Sequence, residues 1–132
     1  MTKSVVASLC LLLSATAFSQ FAESSNDLGD DPEYGPWLEV YDFRPETLEF
    51  MNDNRLQGGG PTWVALITAA LELKSPKTLR QIEFDDSGDM VLIYAESTAT
   101  LKTVQSLVAE LQSKREFMIT CMKRAEARGY LE

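Results

Sequence analysis

Apolar residues recur from Trp63 onward at the three- and four-residue spacing of one helix face. The residues of this stripe are Trp63, Leu66, Ile67, Ala70 and Leu71. The pattern predicts an amphipathic helix over residues 62–74, ended by Ser75-Pro76. The same spacing predicts a second helix over residues 98–112 and a third over residues 114–128.

Two of these helices have recognisable starts. Ser97 or Thr98 precedes the second apolar stripe and is expected to start its helix. The residues Ser113 to Glu116 match the capping-box pattern, which predicts that Ser113 begins the last helix.

Alternating apolar and polar residues predict three strands, over residues 37–43, 81–85 and 90–95. One side of the first strand carries Trp37, Glu39, Tyr41 and Phe43, and the other carries Leu38, Val40 and Asp42. The third strand is apolar on both faces, which predicts a well-covered, central position. The predicted fold is therefore one α+β domain over residues 37–132, a small, mainly antiparallel sheet covered by helices.

The first 19 residues have the pattern of a secretory signal peptide. Lys3 is followed by an uncharged, mostly apolar run up to Phe18, and both Ala17 and Ser19 end a small-x-small cleavage pattern. The run is short for a membrane span. The alternative is a buried helix or strand of the folded domain, which would leave the protein in the cytoplasm. With the leader removed, we expect a periplasmic or secreted protein with no stable membrane span.

Export predicts a specific mass for the mature protein. Protein from the periplasmic fraction should have lost its first residues, up to Ala17 or Ser19, because leader peptidase cuts after a small residue. Intact-mass spectrometry measures this loss directly. Full-length protein found in the cytosol alone would contradict the signal-peptide prediction.

Acidic and small polar residues dominate residues 20–36. A segment with so few apolar side chains has little to offset the entropy lost on ordering, which predicts a flexible acidic linker.

The stretch Gly58-Gly59-Gly60 directly precedes the first helix. Glycines before a helix can bind an anion, but this loop lacks the Lys-Ser/Thr pair of a phosphate-binding loop and does not follow a strand. A packing or turn role is favoured, because glycine most often answers a demand of the backbone.

The net charge of −8 argues against a nucleic-acid partner. A basic protein partner would suit this charge, although solubility is the favoured explanation, because net charge by itself says little about specific binding. The chain contains no histidine, which removes the commonest general base and zinc ligand. Cys121, on the apolar face of the last helix, is expected to be a buried structural thiol. We expect no metal, no cofactor and no enzyme activity.

From Gly58 onward the chain resembles the immunity protein 51 family, bacterial proteins encoded beside polymorphic toxins. The matching features are Gly58-Gly59-Gly60 followed by Trp63, then Ile82-Glu83-Phe84-Asp85, an acidic turn and a strand ending at Tyr94. The resemblance extends over residues 37–125. Pro61-Thr62 stand where the family usually has an aromatic residue.

The resemblance implies an α+β fold and a protein that binds and neutralises one toxin. The acidic charge of the chain would suit a toxin with a basic surface. The alternative is an exported interaction module without a toxin partner. Candidate toxin contacts are the polar residues of exposed loops, since loops commonly carry function. They are Asp53, Arg55, Asp85, Asp86 and Asp89. For the last three, a turn-forming role is the simpler interpretation, ahead of a cation site.

Overall fold

A computed structural model describes residues 23–131 of the chain. In chain order the elements are β1 (Ser24–Asp31), β2 (Gly35–Asp42), α1 (Pro45–Asp53), α2 (Gly60–Lys74), α3 (Pro76–Leu79), β3 (Ile82–Asp86), β4 (Val91–Ala95), α4 (Thr98–Ser113) and α5 (Arg115–Ala127). They confirm the α+β class and the predicted helices and strands, whose ends differ by one or two residues. Within residues 23–131, no helix has the length and apolar character needed to cross a bilayer. The predicted leader, residues 1–19, lies outside this range.

The four strands form one antiparallel sheet in the order β1-β2-β4-β3. Trp37 of β2 lies opposite Tyr94 of β4, and Ile82 of β3 lies opposite Ala95 of β4. The strand predicted to be central, β4, is therefore paired on both of its edges. The helices described cover β4 on only one of the two faces of the sheet.

The predicted flexible linker over residues 20–36 is wrong for the part that the structure describes. Residues Ser24–Asp31 form an edge strand that pairs with β2 along its whole length. The folded domain thus begins well before residue 37.

The strand β1 gives almost no hydrophobic signal, because Leu28 is its only large apolar residue. Its order comes from backbone pairing with β2 and from side-chain bonds that periodicity does not reveal. Asn26 donates to the carbonyl of Gln105 in α4 (3.0 Å), and the Asp31 carboxylate accepts from the backbone N–H of Tyr34 (3.0 Å) in the turn.

The helices α2 and α4 cover one face of the sheet, which we call the inner face. Alternate residues of β2 and β4 point to it and are completely buried: Leu38, Val40, Val91 and Ile93. Apolar residues of α2, α4 and α5 complete the core, among them Trp63, Leu66, Leu71, Leu101, Val108 and Met118. The helix α5 packs against α2 and forms a further helical layer on the same side of the sheet.

Only one of the two predicted helix starts is confirmed. The Ser97 hydroxyl accepts a hydrogen bond from the backbone N–H of Thr100 (3.2 Å) at the start of α4. The predicted capping box at Ser113 is wrong. Ser113 remains in the last turn of α4, where its hydroxyl donates to the carbonyl of Ala109 (2.8 Å), and Lys114 alone separates α4 from α5.

A buried carboxylate holds the junction between β2 and α1. Asp42, with no exposed surface, accepts two hydrogen bonds from the Arg44 guanidinium (2.9 and 2.8 Å) and one from the Thr47 hydroxyl (2.9 Å). Arg44 also donates to the carbonyl of Gln112 at the end of α4 (2.7 Å). The hydrogen bond to Asp42 raises the pKa of Arg44 above its usual value. One ionic contact thus joins the sheet, α1 and α4.

Candidate interaction surface

The glycine loop packs against the turn between β3 and β4. The backbone N–H of Gly60 donates to the carbonyl of Gly88 (2.7 Å). A Cβ atom on Gly59 would lie 2.2 Å from that same carbonyl oxygen, a distance that no side chain tolerates. Gly58 has φ +84, which favours glycine. These contacts support the predicted packing role.

The predicted toxin-contact residues lie in two places. One is the region where the glycine loop meets the turn between β3 and β4, and the other is the face of the sheet opposite the helices. Asp53 ends α1 and Arg55 follows it towards the glycine loop, while Asp86 ends β3 and Asp89 lies in the turn that this loop contacts. Asp86 accepts a hydrogen bond from the backbone N–H of Gly88 (3.0 Å), a turn-forming role. Asp85 instead lies on the face of the sheet opposite the helices.

Trp63 belongs to the core and lies away from solvent, with no exposed surface. Its indole Nε1 has no hydrogen-bond partner within residues 23–131. The residue therefore acts as a packing anchor at the first turn of α2 and offers nothing to a partner.

The face of the sheet opposite the helices, which we call the outer face, is covered by none of the helices described. Antiparallel register places directly opposed residues on the same side of a sheet. The outer face therefore includes Ser25, Asp27, Gly29 and Asp31 from β1, Trp37, Glu39 and Tyr41 from β2, Leu92 and Tyr94 from β4, and Glu83 and Asp85 from β3.

Aromatic side chains form the middle of the outer face. The Trp37 ring lies over Gly29, where a Cβ atom would come within 2.0 Å of it. Tyr94 lies opposite Trp37, and its ring meets that of Tyr34 edge-on, with 6.3 Å between centroids. Tyr34 itself is 65% exposed. A solvent-facing sheet surface is usually polar, so a group of large aromatic residues here makes this face a candidate binding surface.

Every charged residue in the four strands is acidic. On the outer face, Asp27, Glu83 and Asp85 are exposed, and Glu39 is half-buried with a hydrogen bond from Ser25 (2.8 Å). Burial, with Glu39 and Asp27 nearby, raises the pKa of Tyr41. The outer face thus combines aromatic area with negative charge.

An open groove of about 950 Å³ continues the outer face at one end. Tyr34, Glu83, Tyr94 and Glu96 line it, together with Arg80, the one cation among its lining residues. The aromatic patch therefore extends past the strands into a concave edge.

The structure offers no catalytic arrangement among the residues it describes. Burial raises the pKa of Cys121 to about 11, so the thiol stays protonated at neutral pH. Glu72 on α2 is bound by the Tyr130 hydroxyl and by Arg124 (2.8 Å), which hold the pKa of Glu72 below its usual value. No group of three potential metal ligands occurs within residues 23–131.

Comparison with known proteins gives one informative match. The sequence profile of Immunity protein 51 matches residues 31–127, from the end of β1 to the end of α5. The chain has no significant match among curated proteins or among solved structures. Because the match covers most of the chain, this protein belongs to the Immunity protein 51 family.

Proposed function

We propose that this protein binds and neutralises a cognate bacterial toxin by direct contact, without catalysis. The observation that carries the proposal is the family match over residues 31–127. The net charge of −8 and the acidic outer face support a toxin with a basic surface, since complementary charge speeds encounter and excludes wrong partners. The leader pattern in residues 1–19 supports an encounter in the periplasm or outside the cell.

Co-expression tests this function. Expression of the product of the adjacent open reading frame should stop growth, and co-expression of this protein should restore it. The two purified proteins should then elute together as a one-to-one complex in size-exclusion chromatography. An unrelated toxin should show neither effect, since a specific interface rejects other partners.

The alternative is an exported interaction module without a toxin partner, which the same acidic and aromatic surface would suit. Failure of both the growth rescue and the complex would favour it. An affinity-purified partner that has no toxicity when expressed alone would then identify the module's role.

A further inference from the structure

We propose that the outer face of the sheet, and not the turn between β3 and β4, is the surface that docks onto the toxin, through a basic patch of the toxin. This inference rests on the proposed function and goes further by assigning the contact surface. An aromatic anchor that becomes buried on binding, surrounded by carboxylates, is the arrangement expected for binding Lys- and Arg-rich surfaces.

The sign of the charge identifies the occupant. The only charged groups that the strands contribute to the outer face are carboxylates. The nearby cation, Arg80, lies in the groove at the edge of this face. A second copy of this chain would bring the same carboxylates against each other, which is unfavourable. The preceding residues 1–22 carry only Lys3 as a charged residue and cannot neutralise the face. A partner rich in lysine and arginine would neutralise these carboxylates.

The aromatic residues supply the anchor. Tyr94 lies on the central strand between Trp37 of β2 and Glu83 of β3. An arginine of the partner could stack on such a ring and pair with the adjacent carboxylate at the same time, and both interactions strengthen as water leaves. Contact with Tyr34 restricts the Tyr94 ring before binding, which reduces the entropy lost on association.

Three double variants with the same change in net charge test the charge component. Glu83→Gln with Asp85→Asn alters the outer face, Asp86→Asn with Asp89→Asn alters the turn, and Glu49→Gln with Glu126→Gln alters exposed positions on the helical side. The six carboxylates are all exposed. Association rates with the purified product of the adjacent open reading frame are measured over a salt series, beside thermal melts.

We expect the outer-face variant to associate on the order of tenfold more slowly at low salt, with a flatter salt dependence. The helical-side variant should differ from the parent by roughly twofold at most, because only the long-range charge has changed. A slow turn variant beside an unaffected outer-face variant would assign the contact to the turn and overturn the inference.

A second pair of variants tests the anchor. Tyr94→Ala should speed dissociation on the order of thirtyfold, as truncation of a central aromatic anchor does. Leu73→Ala removes an exposed apolar side chain, 44% exposed on α2, and should leave dissociation within roughly twofold of the parent. Light scattering of each variant alone reports whether the face joins two copies of this chain instead, which would contradict a toxin contact.

The outcomes separate this inference from the proposed function. If the parent protein does not bind the product, the proposed function fails and the inference fails with it. If the parent binds while the outer-face and Tyr94 variants match it in both rates, neutralisation stands and the assigned surface is wrong.

Discussion

Replacing Trp63 by alanine is expected to lower the free energy of unfolding by about 3–5 kcal/mol, the cost of truncating a fully buried tryptophan. The side chain has no exposed surface and lies at the N-terminal end of α2, where the glycine loop approaches the β3–β4 turn. The cavity would therefore open between the helical layer and the sheet, where backbone contacts limit collapse. Chemical denaturation monitored by circular dichroism measures the change.

Two further variants sharpen this prediction. Trp37→Ala is the matched control, because that tryptophan is only partly buried on the outer face and its removal leaves no closed cavity. Trp63→Phe should cost less than Trp63→Ala, since the phenyl ring leaves a smaller cavity, while both variants remove the indole N–H that has no partner within residues 23–131. A change of less than roughly 0.5 kcal/mol for Trp63→Ala, the range of surface substitutions, would contradict a core position.

Removing the buried carboxylate at the junction of β2 and α1 should be the next largest effect. We expect Asp42→Ala to cost about 3 kcal/mol, the lower end for breaking a buried ion pair, because Arg44 keeps 30% of its side-chain surface exposed and water can partly rehydrate it. The Thr47 hydroxyl also loses its acceptor. Denaturant unfolding again measures the change.

Glu46 provides the control for this experiment. It contacts the same guanidinium at 3.7 Å, but its side chain is 61% exposed, so Glu46→Gln should change stability by less than roughly 0.5 kcal/mol. Equal losses from the Asp42 and Glu46 variants would show that burial of Asp42 contributes nothing, and the structural explanation would be wrong.

Local sequence was sufficient for most of the secondary structure. The stripe beginning at Trp63 and the apolar run of β4 are strongly periodic, because each packs against the core, and both elements were predicted. The strand β1 was missed for the opposite reason, since Leu28 alone contributes a large apolar side chain. Its stabilising partners are the backbone of β2 and Gln105, which lies far away along the chain.

The candidate surface was only partly predictable. Alternation in β2 already separated Trp37, Glu39 and Tyr41 from Leu38, Val40 and Asp42. Of the predicted contact residues, Asp85 alone lies on the outer face with them, because loop position was the criterion for choosing candidates. The outer face could have been recognised from a single strand, because aromatic and acidic residues share one side of β2.

The sequence by itself determined the elements, the glycine-loop and helix-start motif, the acidic charge and the resemblance to immunity proteins. These features depend on local periodicity and composition, which each segment carries alone. The tertiary structure decided which face of the sheet the helices cover. It did so because α2 and α4 can bury only one face, and the closely packing Leu38, Val40, Val91 and Ile93 occupy it. The larger aromatic side chains and their neighbouring carboxylates were thereby left together on the other face.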